Sequence, residues 1–481
     1  MGSHYGSLLD QVRFTTMTRK RVSHEKADAL IMFGVTGDLA KRRLFPALYE
    51  LEEDGDVDIP IIGVSRSSDD DEALRRRARA SLEFVGKDID EEVFARLAGR
   101  LCHVPGDYRD PETFARIAEK AGDRMCTVSY LAIPPELFDD VVRGLAAVGL
   151  HERGRVVVEK PFGRDTKSAH ELNEIIHRHY PEDRVYRIDH FLGKEALQNL
   201  MVFRFSNTML EPIWNRHYIR GVQVTLAEDF GVEGRGAFYD QVGAMRDVVQ
   251  NHLLVLMSLL AMEPPVSDAP DALRDERVKV LEAIRSLSPS DVVTGQYTGY
   301  RDEPGVSPDS TTETFFASRL EIDSWRWAGV PWVIRAGKGL DTTVTEAVVE
   351  FLRPPRLYFT DEIHAPGPNR LVFRSKPQDR IVLEMQAKRP GPRIVSEPVN
   401  LELEYGEHRG EAQDAYHRLL GDALKGDQSL FARVDGVMEA WRIVQPVIDA
   451  FPEPYEYERG SAGPKEADDL LAPNWEWLSG S

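Results

Sequence analysis

Ala29-Leu-Ile-Met-Phe-Gly34-Val-Thr-Gly37-Asp-Leu-Ala-Lys41 is a short apolar run that ends in glycine and passes through a second glycine into a polar segment. The run reads as a buried strand. From Asp38 onward, Leu39, Leu44, Leu48 and Leu51 recur at helical spacing. Strand, glycine turn and helix therefore follow one another. Glycines at such a turn let the backbone approach a pyrophosphate, and the helix start offers free N–H groups and a positive dipole end. The spacing is G-x-x-G rather than G-x-G-x-x-G. On these residues alone an ordinary βα turn, with Thr36 or Asp38 capping the helix, remains the alternative.

Working outward, Ile59–Val64, Cys126–Ile133 and Arg155–Glu159 read as further buried strands, and Asp71–Phe84 and Pro135–Val148 as helices. Strands alternating with helices mean βαβ units and a parallel sheet. This unit is placed at residues 27–200, a Rossmann-like dinucleotide-binding domain. Residues 1–26 are polar and mixed in charge and read as a tail without regular structure. Residues 201–481 read differently. Val222–Ala227, Phe315–Ile322, Val330–Arg335, Val344–Leu352, Arg370–Arg374, Arg380–Ala387 and Val399–Glu404 are strand-like, with few helices between the later ones. Helices are expected at Arg246–Met262, Ala412–Leu424 and Val434–Phe451. That is an α+β pattern with a large, mainly antiparallel sheet.

Composition narrows the function. The 481 residues carry 60 Lys and Arg against 80 Asp and Glu, a net charge of −20. A general nucleic-acid or anionic-membrane binder needs a positive surface, so both classes are disfavoured. The two cysteines, Cys102 and Cys126, form no C-x-x-C pair and suit neither a zinc ribbon nor a disulfide scaffold. The longest apolar stretch, Leu253–Met262, is too short for a membrane helix, and the N-terminus shows no signal-peptide core. A cytoplasmic location is expected.

Four further segments carry chemistry. Gly63-Val-Ser-Arg66 ends the second strand; an acid there would bind an adenosine ribose hydroxyl, whereas Arg66 suits the 2′-phosphate of NADP. Asp69, Asp70 and Asp71 follow closely and weaken that electrostatic argument. Val158-Glu-Lys160-Pro-Phe-Gly163 places a lysine at a strand end. Arg187-Ile-Asp189-His190-Phe-Leu-Gly-Lys194-Glu195 gathers acid, histidine and lysine, with His190 and Lys194 able to offer donors and charge to a phosphate. In Gly243-Ala-Met-Arg-Asp247-Val-Val-Gln-Asn-His252, Asp247 and His252 are five apart and so do not share one row of an α-helix. His252 would act as a base only with a partner such as Asp189. His177 and His179 form an H-x-H without a completing ligand, and no metal site is expected.

Taken in order, these segments resemble the glucose-6-phosphate dehydrogenase family. So do Ser310–Phe315, Arg326–Pro331, Arg335-Ala-Gly-Lys338 and Ala440–Ile443, and the resemblance runs from about residue 28 to 473. It implies NADP-linked oxidation of glucose 6-phosphate, the first step of the oxidative pentose phosphate pathway, with NAD as a weaker alternative. It implies His252 as general base and Asp189 as its partner. His190 and Lys194 would grip the phosphate, Glu228, Asp247 and Lys338 would position the sugar hydroxyls, and Lys160 would touch both substrate and coenzyme. Gly34, Thr36, Gly37, Asp38, Leu39, Ala40, Lys41, Arg66 and Tyr130 would form the coenzyme site. A homodimer or homotetramer built through the large sheet is implied. Three positions depart from the family pattern: Phe191 stands where tyrosine is usual, Thr343 where Lys or Arg is, and Lys376 where many members have glutamine. A missing phenol donor is worth about 0.5–1.5 kcal/mol. These departures leave open a related enzyme for another hexose phosphate or a sulfo-sugar, and a catalytically silent regulatory paralogue is the remaining alternative.

Overall fold

The computed structural model describes residues 25–356, 358–359, 367–404, 414–473 and 475–478. Among them the first half supplies β1 (Ala29–Phe33), β2 (Ile61–Ser65), β3 (Leu101–Pro105), β4 (Thr127–Leu131), β5 (Arg155–Glu159) and β6 (Val185–Ile188). All neighbours pair in parallel, in the order β3-β2-β1-β4-β5-β6. Every residue of β1, β2 and β4 is buried, which is why these strands read as unbroken apolar runs. The strand order reverses between β1 and β4, and ligands of such sheets sit outside the carboxyl ends of the strands at that point.

The second half supplies β7 (Ile219–Ala227), β8 (Val292–Tyr297), β9 (Phe315–Leu320), β10 (Trp332–Gly337), β11 (Val344–Phe351), β12 (Arg370–Lys376), β13 (Arg380–Lys388), β14 (Ser396–Glu404) and β15 (Tyr455–Tyr457). Their order is β14-β13-β12-β11-β7-β10-β9-β8-β15. Only β7 with β10 and β8 with β15 run parallel; the other pairings are antiparallel. The expected fold class is therefore present, and β3, β6, β8 and β15 come in addition to the expected strands.

The two sheets share one hydrophobic core. Helix Glu195–Phe205 crosses the expected boundary at residue 200, and helices late in the chain return to the first sheet. Helix Ala415–Lys425 does so through Ala27 N–H donating to the Leu424 carbonyl at 2.8 Å and Arg155 donating to the Ala423 carbonyl at 3.2 Å. Helix Val434–Asp449 does so through the Trp441 indole N–H, which donates to the Phe162 carbonyl at 3.0 Å. Residues 412 and 413 of the expected helix, and the expected tail apart from Glu25 and Lys26, lie outside the described residues. Met245–Leu253 is wound as a π-helix and runs into Leu254–Ala261, every residue of which is buried. That burial accounts for the apolar stretch noted in the sequence. Among the described residues no helix is long and apolar enough to cross a membrane.

Candidate active site

The site lies where the carboxyl ends of β5 and β6 meet the π-helical segment. Asp189 and His190 directly follow β6, and Lys160 directly follows β5 and precedes a cis peptide bond to Pro161. His252 Nδ1 lies 2.7 Å from Asp189 Oδ1, and Lys160 Nζ lies 2.9 Å from His252 Nε2. Lys160 has only donors, so Nε2 must be the unprotonated nitrogen and Nδ1 must carry the proton that Asp189 accepts. The imidazole is thus held as a base with its lone pair at Nε2. Burial drives the His252 pKa down, and the Asp189 carboxylate opposes that without cancelling it. Burial would raise the pKa of Asp189, but the adjoining His252 outweighs it and holds the carboxylate ionised.

Asp247 and His252 come together after all. Lys160 Nζ donates to the Asp247 carbonyl at 2.9 Å and reaches its carboxylate at 3.5 Å while also contacting His252. The expectation that they occupy different rows assumed α-helical winding. The i→i+5 winding of the π-helix brings residues five apart onto one side. Charges alternate further along this wall: Lys338 Nζ bonds Glu228 Oε2 at 2.5 Å. Burial works to raise the Asp247 pKa, but Lys160 and Lys338 hold it below the ordinary carboxylate value.

A second cluster lies beside the base. The Phe191 ring stacks on His252 with centroids 4.0 Å apart and planes 12° apart, and Lys194 Nζ sits 3.5 Å from the Phe191 ring centroid. Burial, followed by the facing Lys376 ammonium, lowers the Lys194 pKa to about 8. Lys194 is half-buried and Lys376 exposed, and two like charges near one another attract an anion. His190 stands edge-on to His252 at 4.6 Å. Burial and then the neighbouring His252 push its pKa down to about 2, so it is neutral. The expectation that His190 contributes charge is corrected: burial holds the ring neutral, so it can offer only a neutral donor.

The glycine turn fits a dinucleotide. Gly34 has φ +77°, and a Cβ there would stand 2.1 Å from the Ala132 carbonyl oxygen, beyond the end of β4. Only glycine closes the switch point so tightly. Thr36, Gly37 and Asp38 are exposed at the mouth, Leu39 is half-buried and Ala40 buried. The first turn leaves the N–H groups of Asp38, Leu39 and Ala40 without helical acceptors. Asp38 does not cap this turn: its carboxylate accepts from Arg42 Nε at 2.8 Å. Lys41 lies 3.9 Å over the Phe84 ring. Arg66 is exposed just past β2. The three nearby aspartates are engaged elsewhere: Asp69 with Arg77 at 3.1 Å, Asp70 with Ala73 N–H at 2.7 Å and Asp71 with His103 N–H at 2.7 Å.

Sequence models of known domain families place these features in a lineage. The model described as "Glucose-6-phosphate dehydrogenase, NAD binding domain" matches residues 31–199, and that described as "Glucose-6-phosphate dehydrogenase, C-terminal domain" matches residues 201–478. The chain belongs to the glucose-6-phosphate dehydrogenase family. It is 44% identical over 455 residues to glucose-6-phosphate 1-dehydrogenase 1 of Mycobacterium bovis, covering 94% of this chain and 96% of that protein. It is 40% identical over 474 residues to glucose-6-phosphate 1-dehydrogenase of Aggregatibacter actinomycetemcomitans, covering 92% and 95%. A crystal structure of the Mycobacterium avium enzyme superposes with a TM-score of 0.88 at 44% identity, covering 95% of this chain and 99% of that one. A family structure in complex with its substrate glucose-6-phosphate superposes with a TM-score of 0.88 at 37% identity, again over 95% and 99%.

One expected coenzyme residue of this family member is corrected. Tyr130 is fully buried and its hydroxyl donates to Glu159 at 2.5 Å, so it presents no surface to a coenzyme. Its ring points into the shared core rather than to the mouth. Arg374 is buried against Glu346 at 2.7 Å and is not free for a ligand. Thr343 is bonded to Asp229, donating to its carboxylate and accepting its N–H at 3.0 Å. Sequence reasoning missed two supports. The Tyr108 hydroxyl accepts from Gly34 N–H at 3.0 Å and donates to the Val64 carbonyl at 3.2 Å, tying the glycine turn to β2. Glu313 accepts from Met245 N–H at 2.9 Å and so caps the π-helix that carries His252. Among the described residues, Asp189, His190 and His252 are the one trio with ligand atoms close enough to share a metal ion, within 4.8 Å. The Lys160 ammonium at Nε2 already holds the cationic place there.

Proposed function

We propose that this chain oxidises the C1 hydroxyl of glucose 6-phosphate to the 6-phosphogluconolactone, using NADP. The observation that carries the reading is His252, set as a neutral base with Asp189 behind it and the Lys194–Lys376 pair beside it. Lys194, Lys376 and neutral His190 hold the phosphate. Glu228, Asp247 and Lys338 orient the sugar hydroxyls. The C1 hydroxyl takes the place of Lys160 at Nε2 and gives its proton to His252, while Asp189 stabilises the imidazolium that forms. Bound nicotinamide dinucleotide supplies the acceptor for the C1 hydride. Lys160 stays tied to Asp247 and keeps a positive charge at the edge of the reacting centre. A sulfo-sugar substrate is not favoured by the relatives, which are named for glucose 6-phosphate. A silent paralogue would have no chemical need for the assembled dyad. We place the protein in the cytoplasm, as a homodimer or homotetramer. Its contact face would be the part of β13 and β14 where Met385, Leu401 and Leu403 are exposed, on the same face of the sheet as Ile381 and Leu383.

Absorbance at the reduced-nicotinamide band tests the reading. With glucose 6-phosphate, NADP is expected to be reduced much faster than NAD. In Arg66→Ala, kcat/KM for NADP is expected to fall about 10- to 100-fold, the worth of one charge-assisted phosphate contact. The value for NAD should change little. No reduction with either coenzyme would overturn the assignment.

The Lys194 pKa of about 8 adds a pH dependence. The protonated ammonium binds the phosphate dianion, so affinity is full below that value and is lost as pH rises through it. The kcat/KM for glucose 6-phosphate, which reports free-enzyme ionisations, should decline above pH about 8. The decline should vanish in Lys194→Gln, whose KM should already be raised about 10-fold or more at pH 7.

A further inference from the structure

Beside Asp189 is a small cavity of about 50 Å³. Asp189, Asn251, Arg274, Arg277 and Arg433 are among its lining residues. Two kinds of unsatisfied group meet there. Asp189 Oδ2 is buried and accepts no hydrogen bond, its other oxygen serving His252 and the Phe191 N–H. Opposite in character is Arg277, only 6% exposed, whose guanidinium makes no ion pair or hydrogen bond to any described residue and whose Nε is fully enclosed. Most of the cavity wall is apolar, with Leu254, Val255, Val278 and Leu281 in it, and buried charges left alone there are costly, so the orphan anion and orphan cation that open on it form a complementary pair. The cavity has room for a few water molecules, and its lining supplies the partners that ordered water requires.

The other two arginines each have a carboxylate partner, which Arg277 lacks. Arg433 is occupied by Asp275 at 2.6 Å, Asp435 at 2.8 Å and Asp271 at 3.3 Å. Arg274 gives one nitrogen to Asp271 at 2.7 Å and to Gln428 at 3.1 Å, although its Nε and Nη1 remain unpaired. Asp189 is thus faced by His252, His190 and Lys160, and shares the cavity with Arg274 and Arg277. Arg277 is faced by Asp189, Arg274, Arg433 and Asp435.

We propose that Arg277, through water held in this cavity, is a positioning residue for the dyad: it anchors Oδ2 of Asp189 and thereby sets the orientation and basicity of His252. The proposal rests on the reading of His252 as the base. Arg277 touches neither the sugar pocket nor the coenzyme turn, so its removal should act on kcat and leave KM within about twofold.

The test has a readout that does not need turnover. Histidine ring signals are followed by NMR against pH in protein carrying labelled histidine, with His252→Asn identifying the signal of interest. Loss of this cation in Arg277→Met should raise the His252 midpoint by about one pH unit. Arg277→Gln, which keeps a donor without charge, should do the same, and Arg277→Lys should restore the original midpoint. The acid limb of kcat/KM should move to higher pH by the same amount, with kcat down about tenfold. An unchanged His252 midpoint in the Met and Gln variants would overturn the proposal, even if their Tm or activity fell. A wild-type protein that does not oxidise glucose 6-phosphate would overturn the functional reading instead, and the NMR midpoints would still decide the role of Arg277.

Discussion

His252→Asn is expected to lower kcat about 10³-fold while changing KM by less than tenfold. Asparagine keeps a polar group of similar reach in the position of the ring, so the sugar hydroxyl still finds a partner. It has no site that takes up a proton. Positioned general bases contribute typically 10²- to 10⁴-fold, and 10³-fold corresponds to about 4 kcal/mol of barrier. The protein has no ready replacement among the groups around the reacting centre. Lys160 is an ammonium with no lone pair, and Asp247 is occupied by Lys160. His190 is neutral and has a lone pair, but its ring stands edge-on beside His252 rather than in its place. A second signature separates loss of the base from general damage. Burial keeps the His252 pKa below that of free histidine. Activity in the wild type should therefore hold at neutral pH and fall on acidification as Nε2 becomes protonated. In the Asn variant this acid limb should disappear along with most of the rate. Turnover within tenfold of wild type would remove His252 from the role of base.

The fold was legible where burial is uniform. β1, β4 and β5 carry apolar runs flanked by turn residues, and their parallel pairing follows from the helices between them. β3 and β6 were hidden because each buries a polar residue that tertiary partners satisfy. His103 in β3 meets Ser65 at 3.0 Å and the Asp69 carbonyl at 2.7 Å. Arg187 in β6 meets Glu182 at 2.7 Å and Asn173 at 2.8 Å. The dyad was legible only as two motifs and a resemblance; what joins them is a packing of sheet against helix that no local spacing encodes. The relation of Asp247 to His252 was misread because π-winding leaves no mark in hydrophobic periodicity. Arg277 carries still less signal. In Arg274-Asp-Glu-Arg277 it looks like one more charge on a solvated helix, yet Arg274, Glu276 and Arg277 are all buried. Phe191 was read as a lost phosphate donor; the structure gives its ring a different task, as the plate on which His252 rests.

Asp189→Asn should cost as much as loss of the base itself, about 10³-fold in kcat, although the substitution changes one atom. Two orientations are open to the new amide. With its NH₂ toward His252, the amide donates to Nδ1, and the ring proton must move to Nε2. The lone pair that should accept the sugar proton is then gone, and Nε2–H points at the Lys160 ammonium 2.9 Å away, donor against donor. With its oxygen toward His252 the tautomer survives, and the Phe191 N–H at 3.0 Å is also satisfied. The NH₂ is then turned into the cavity that Arg274 and Arg277 line, where an acceptor is needed. In either case the imidazolium formed during proton transfer has lost its counter-charge in a buried site, and the comparable change in a serine-protease triad costs about 10⁴-fold. The pH signature has a definite sign. Removal of the carboxylate lowers the His252 pKa further, so any residual activity should persist to lower pH than in the wild type. The paired substitution is the most discriminating measurement. Residues that act as one unit are not additive, so Asp189→Asn combined with His252→Asn should be no slower than His252→Asn alone, within about threefold. Fully multiplicative losses, near 10⁶-fold together, would mean that Asp189 serves the site by some route other than His252.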